Sequence, residues 1–216
     1  MIELRREGFI NQYPPLNILN KNELEGLYRK KELHLYVHIP FCKVKCDFCY
    51  YYSLPIGKGA VPDAYVDALI KEIELYSIMP QIQAMKIRSI YFGGGTPTLL
   101  SKEQISRIIR EIYCRFDVME HVEFCFETGP DLSEGAETLE LLKELGINRV
   151  SIGCQSTDEN VLRKNGRYRT VEQFYKKNEI LKNIGFTSIN IDVMSGLIGQ
   201  SAESFMKTLE DVIRLR

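Results

Sequence analysis

Leu33-His34-Leu35-Tyr36-Val37-His38-Ile39-Pro40-Phe41-Cys42-Lys43-Val44-Lys45-Cys46-Asp47-Phe48-Cys49 is the stretch on which the fold turns. Its first seven residues set Leu33, Leu35, Val37 and Ile39 against His34, Tyr36 and His38, the two-residue period of a strand. Cys42, Cys46 and Cys49 then follow in a Cys-x3-Cys-x2-Cys spacing. Three thiolates are one fewer than a saturated iron–sulfur or zinc site requires. Soft sulfur donors on a loop can hold three irons of a four-iron cluster and leave the last iron open. An open metal position points to chemistry, whereas a closed one points to structure. His38 could instead complete a Cys3His zinc site, although the tight Ile39-Pro40 link makes that geometry awkward.

Downstream, strand and helix patterns alternate. Pro62 suits the first turn of a helix carrying Tyr65, Leu69, Ile73 and Tyr76 on one face. Ile87–Phe92 reads as the second strand. Ser101-x-x-Gln104 is a capping-box signature ahead of a stripe of Ile105, Ile108, Ile109 and Ile112. Val122–Phe126 is the third strand, followed by a helix through Leu139 and Leu142 that Gly146 ends. Ile147–Ile152 is the fourth strand, and Thr170-x-x-Gln173 caps a helix that stops near Gly185. Ile189, Ile191 and Val193 alternate along a fifth strand. Phe205, Leu209, Val212 and Ile213 give the last helix its apolar face. About five βα units in succession predict an α/β fold with a parallel sheet, as in a barrel or an open part of one. Residues 1–32 read as a polar lead-in broken by Pro14-Pro15, and 33–216 as the core domain, with no sixth strand in the sequence.

The composition excludes several classes. With 44% hydrophobic and 26% charged residues and a net charge of -1, the chain reads as globular, without the basic field that nucleic acid demands. Met1–Glu7 lacks the apolar core of a signal peptide, and no apolar run nears the roughly 20 residues of a membrane span. The expectation is therefore a cytoplasmic protein whose 6 cysteines are reduced thiols.

In barrels the ends of the strands build the active face. The cysteine loop follows strand one and Gly93-Gly94-Gly95-Thr96-Pro97 follows strand two. Glu127 ends strand three, Gln155 follows strand four, and Asp192 lies near the end of strand five. The triple glycine lets the backbone approach a ligand closely, but it has neither P-loop nor dinucleotide spacing. Its bland alternative is a tight turn. For Glu127 the alternative is a salt-bridged carboxylate, for Asp192 a satisfied buried one, and for Arg167 a solvated basic run. Cys114, Cys125 and Cys154 have no ligand spacing and read as structural. His121 reads as a surface residue at a strand start.

Four ordered blocks carry a family resemblance over residues 33–216. Tyr36-Val37-His38-Ile39-Pro40-Phe41-Cys42-x3-Cys46-x-Phe48-Cys49 resembles the signature of radical S-adenosylmethionine (SAM) proteins. It is similar, more narrowly, to the oxygen-independent coproporphyrinogen III oxidase group, which includes haem chaperones and related methyltransferases. Tyr91–Thr98, Ile152–Ser156 and Asn190–Leu197 match further blocks. The resemblance implies a partial (β/α)6 TIM-like barrel. It implies a 4Fe-4S cluster on Cys42, Cys46 and Cys49, with one or two SAM molecules contacted by Tyr36, Phe48, Gly94, Gly95, Thr96, Glu127, Gln155, Arg167 and Asp192. Reductive cleavage of SAM would give methionine and a 5′-deoxyadenosyl radical that abstracts hydrogen. The implied partners are a tetrapyrrole- or haem-like small molecule and a low-potential electron donor such as flavodoxin or ferredoxin. Two residues depart from the oxidases proper. Tyr51 stands where they carry a fourth cysteine, and Ile198 where their Gly-Leu-Pro block has proline. The missing fourth cysteine turns the expectation toward the haem chaperones and methyltransferases of the group, which lack it as well. The oxidases' C-terminal domain, which helps to shape their substrate site, also has no counterpart in this sequence.

Overall fold

The computed structural model describes residues 31–168 and 171–215. β1 (Glu32–Ile39) leads through two two-residue strands, β2 (Phe41–Cys42) and β3 (Leu54–Pro55), to helices α1 (Asp63–Ser77) and α2 (Pro80–Gln83). There follow β4 (Lys86–Gly94), α3 (Lys102–Arg115), β5 (Asp117–Thr128), α4 (Ala136–Glu144), β6 (Arg149–Gln155) and α5 (Glu159–Lys164). The last elements are α6 (Val171–Ile184), β7 (Ser188–Val193) and α7 (Ala202–Ile213). Among the described residues the main sheet has 5 strands in the order β1-β4-β5-β6-β7. Every pairing is parallel. An order that never doubles back is the order of a barrel wall, so the expected α/β architecture with a partial TIM-like barrel holds.

The two faces of this sheet are chemically opposite, and the alternation seen in β1 is the cause. Val37, Ile39, Ile90, Phe92, Phe124, Phe126, Val150 and Ile152 join one buried cluster with Val66 and Ile73 of α1, the isoleucines of α3, Leu139 and Leu142 of α4, and Phe174 and Leu181 of α6. Phe92 stacks on Phe126 at 5.0 Å between ring centres. Each fully buried phenylalanine contributes about 1.5–3 kcal/mol by removal from water. The opposite face presents His34, Tyr36, His38, Ser89, Tyr91, Glu127, Ser151, Asn190 and Asp192.

The elements follow the expected punctuation, with several shifts. Ser101 and Gln104 make the reciprocal capping box, and Ile105, Ile108, Ile109 and Ile112 are buried. The Thr170 cap lies outside the described residues, as does all but the last part of the lead-in; α6 itself is present. On α1 the buried stripe is Val66, Ile73 and Ser77 rather than one through Tyr76, which is 49% exposed. Ile213 is also exposed, because α7 docks through Thr208. β5 starts at Asp117, five residues before the expected Val122, which places His121 inside the strand. Ile87 pairs with Val118 while Ser89 pairs with Glu123, so an irregularity in β5 absorbs the polar Glu120-His121 pair. Among the described residues, no helix is long and apolar enough to cross a membrane.

Candidate functional site

The cysteine loop is built against the glycine loop by backbone hydrogen bonds. Gly95 N–H donates to Ile39 O at 2.8 Å and Thr96 N–H to Phe41 O at 2.8 Å. Ile56 N–H donates to Cys42 O at 2.8 Å, and Cys49 N–H to Cys46 O at 3.0 Å, which turns the loop back on itself. A side chain at Gly95 would bring its Cβ to 2.4 Å from Phe41 O and 3.0 Å from Cys42 Sγ. Gly94 has φ +115°, and a Cβ there would lie 2.6 Å from the His38 ring. Steric exclusion by the cysteine loop and the His38 ring therefore accounts for both glycines.

The three cysteines all lie half-buried on this loop. Burial pushes the Cys42 thiol up, and the neighbouring Cys49 and Cys46 push the same way. The Thr96 hydroxyl, 3.7 Å from Cys42 Sγ, and the Arg167 guanidinium oppose them. Arg167 Nη1 stands 3.5 Å from Cys46 Sγ, its Nη2 donates to Gly153 O, and its Nε is buried without a partner. Arg167 is thus no member of a solvated run: it points into the cysteine loop with an unsatisfied donor. No group of three or more His, Cys, Asp or Glu among the described residues converges to hold a single ion. His38 is also engaged elsewhere, with Nδ1 2.9 Å from Tyr36 Oη and Nε2 3.1 Å from Tyr52 O. Burial pushes the Tyr36 phenol up to about 12.

Glu127 faces the same space. Tyr91 Oη donates to Oε1 at 2.6 Å and Gly94 N–H to Oε2 at 3.0 Å. No salt bridge to it is found among the described residues. Burial raises its pKa above the ordinary 4.5, while the two donors pull it down. Only between the ordinary value and the raised folded one does the folded chain hold a proton that the unfolded chain has released. The contribution of this group to stability is therefore full below about 4.5 and is lost as pH rises through the folded value. Urea unfolding at several pH values is expected to show the wild type losing ground to Glu127→Gln as pH rises from about 4.5 through the raised folded value. A difference constant with pH would contradict this reading.

Gln155 ends β6 with φ +70°, the one described non-glycine residue in the left-handed region, a strain that clusters at ligand sites. Asp192 accepts from Ser151 Oγ at 3.1 Å and from Asn190 Nδ2 at 2.8 Å. It is exposed, which corrects the alternative of a buried carboxylate, because it stands on the open polar face. Phe48 is half-buried on the cysteine loop. The structure thus brings Cys42, Cys46, Gly95, Thr96 and Arg167 together directly, with Gly94, Glu127 and Tyr36 beside them, and puts Gln155 and Asp192 on the neighbouring strand ends. Cys125 and Cys154 lie in the core, where burial pushes both thiols up to about 12, and are poor ligands. Cys114 is exposed on α3 rather than part of the core. Tyr91 was missed, although its place two residues before Gly93 puts it on the same face.

Comparison with known proteins follows this geometry. A family model described as the Radical SAM superfamily matches residues 36–212. The heme chaperone HemW of Lactococcus lactis is 36% identical over 182 residues, covering 84% of this chain and 46% of that protein. The oxygen-independent coproporphyrinogen III oxidase of Escherichia coli is 36% identical over 188 residues, covering 87% of this chain and 40% of the relative. The solved structure of coproporphyrinogen III oxidase (HemN) from Escherichia coli superposes with a TM-score of 0.80 at 34% identity, covering 93% of this chain and 46% of that one. The chain spans about half the length of the curated relatives it matches.

Proposed function

The chain belongs to the radical SAM superfamily, and from that premise we propose that Cys42, Cys46 and Cys49 hold a 4Fe-4S cluster beside which SAM binds to start radical chemistry on a tetrapyrrole-related small molecule. The observation that carries this reading is the buried, partnerless Nε of Arg167, on a guanidinium already at Cys46 and the end of β6. A buried unsatisfied donor requires an acceptor, and a carboxylate-bearing cofactor at the cluster would supply one. When bound, the cluster and SAM supply one-electron cleavage of a sulfonium and hydrogen abstraction by a 5′-deoxyadenosyl radical.

The protein's part is position and charge. Three thiolates need a loop held open at a fixed spacing, and the Gly95 and Thr96 amides provide that hold. Glu127, mostly buried and already accepting from Tyr91 and Gly94, has remaining lone pairs for an ammonium group. Asp192, oriented by Ser151 and Asn190, offers acceptors for hydroxyls. Tyr36, Phe48, Gly94, Gly95, Thr96 and Gln155 complete the contacts with one or two SAM molecules. The electron comes from a low-potential donor of the flavodoxin or ferredoxin kind, in a reducing cytoplasm. Anaerobic reconstitution followed by reduction is expected to give a brown protein that converts SAM to 5′-deoxyadenosine and methionine. A reduced, cluster-loaded chain that leaves SAM intact with every tetrapyrrole offered would overturn the catalytic reading.

Tyr51 favours a second reading. It occupies the position of the oxidases' fourth cysteine, is 51% exposed and stacks on Tyr50 at 4.6 Å. A phenol cannot replace a soft sulfur ligand, and this chain is as similar to a heme chaperone as to an oxidase. On that reading the cluster is retained and haem is cargo. A Soret titration separates the two, since saturable haem binding is expected only of the chaperone.

A further inference from the structure

We infer that Asn165 is a positioning residue that ties the cysteine loop to the loop after β7, an inference that rests on the cluster-and-SAM reading above. Asn165 is 2% exposed and lies just past the end of α5, two residues before Arg167. Its carbonyl accepts from Asp47 N–H at 3.1 Å, and Asp47 follows Cys46 directly. Its side chain makes a two-way bridge to one distant residue: Ile198 N–H donates to Oδ1 at 3.1 Å, and Nδ2 donates to Ile198 O at 3.1 Å. Nδ2 also donates to Val161 O at 2.7 Å, which fixes the amide against its own helix. Every polar atom of the side chain is thereby used, as a buried amide requires.

The far end of the bridge is equally anchored. Gln200 Oε1 accepts from Gly196 N–H at 2.8 Å and Leu197 N–H at 3.3 Å, while its Nε2 donates to Met194 O at 3.0 Å. Met194 N–H donates to Gln155 O at 3.0 Å. Two sets of hydrogen bonds, joined through the backbone of residues 196–200, thus run from the residue beside Cys46, through Asn165 and Ile198, to the strained Gln155 and the loop that follows Asp192. One arm of the bridge depends on the backbone N–H of residue 198. Proline at that position, as in the block this stretch resembles, has no such donor. Ile198 therefore supplies the partner that Asn165 uses, and the two residues act as one clamp between the strand ends.

Hydrogen exchange of the 216-residue chain at the Asp47 amide tests this, because the acceptor of that amide is the Asn165 carbonyl, which no side-chain substitution removes. Asn165→Leu keeps the volume and deletes the bridge; Ile198→Pro removes the N–H that Oδ1 accepts while the residue-198 carbonyl still accepts from Nδ2; Ile198→Val keeps both. Asn165→Leu is expected to speed Asp47 exchange about tenfold, Ile198→Pro to speed it by no more than that, the pair together no more than Asn165→Leu alone, and Ile198→Val not at all. Asp47 exchange unchanged in both single variants, or additive in the pair, overturns the clamp. In the reconstituted protein the same two variants are expected to raise KM for SAM about tenfold with kcat held within about twofold. A wild-type chain that fails to cleave SAM would defeat the radical reading, while the exchange result still decides the clamp.

Discussion

Cys46→Ser is expected to strip the reconstituted chain of its iron and acid-labile sulfide and to lower SAM cleavage by at least about a hundredfold. Loss of an outer partner of a metal ligand already costs about 10–100-fold, and loss of the ligand itself is expected to exceed that. Serine is nearly isosteric but its hydroxyl is a hard, weakly acidic donor, so one iron would lose its soft anionic partner. The substitution is not expected to disturb the fold. Cys46 is half-buried on a loop, its sulfur contacts Arg167 Nη1, and the backbone turn to Cys49 is made by main-chain atoms. Far-ultraviolet circular dichroism of the variant should match wild type. Cys114→Ser is the internal control: Cys114 is exposed on α3, remote in sequence and structure from the loop, and its replacement should leave iron content and turnover alone. A Cys46→Ser chain that keeps full iron and full turnover would remove this cysteine from the proposed ligand set.

That control is informative because the sequence distinguished the cysteines by spacing alone. Local periodicity made β1 legible, since a strand with one buried and one open face must alternate. The same rule announced the polar face on which Tyr36, Glu127 and Asp192 stand. It failed where the backbone departed from regularity. β5 begins early because parallel pairing with β4 carries it through Glu120 and His121, which no hydropathy pattern marks as strand. β6 runs on through Gly153 to Gln155, where a positive φ ends it. The basic run from Arg163 reads as a helix-to-loop transition and α5 ends there at Lys164, but the sequence pattern does not mark its start, where Asp158 caps it by accepting from Asn160 N–H at 2.9 Å. Arg167 looked like one of several surface cations until the fold turned it towards Cys46. Long-range partnerships such as Asp47 with Asn165, or Lys177 with Glu134, join residues too far apart in sequence for spacing to reveal.

Lys177→Met is expected to lower the unfolding free energy of the chain by about 3–5 kcal/mol, measured by anaerobic urea denaturation under reducing conditions. Lys177 lies on α6 and has 0% exposure, and the Glu134 side chain is 3% exposed. Lys177 Nζ donates to Glu134 Oε1 and, at 3.3 Å, to Thr128 Oγ1. Thr128 Oγ1 in turn donates to Glu134 Oε1 at 2.7 Å and meets Thr98 Oγ1 at 3.3 Å. Burial pulls the lysine's pKa down; Glu134 and the buried Asp131 pull it back up. Taking away the ammonium alone leaves the Glu134 carboxylate in the interior near the buried Asp131, with the Thr128 hydroxyl as a donor to it, which is the costly case. The variant Lys177→Met/Glu134→Leu removes both charges and fills similar volume, and an apolar replacement of a buried pair is often neutral. It should therefore recover most of the loss, giving a coupling of about 2 kcal/mol or more in the double-mutant cycle. Simple additivity, or a loss under about 1 kcal/mol for Lys177→Met, would show that the pair is not a closed electrostatic unit. The pair's position gives the result a functional edge. Thr128 is the neighbour of Glu127 on the opposite face of β5, and Thr98 closes the glycine loop, so the pair fixes from behind what the proposed SAM pocket uses in front. A double variant that regains stability yet binds SAM more weakly would assign the buried charges to orientation rather than to folding.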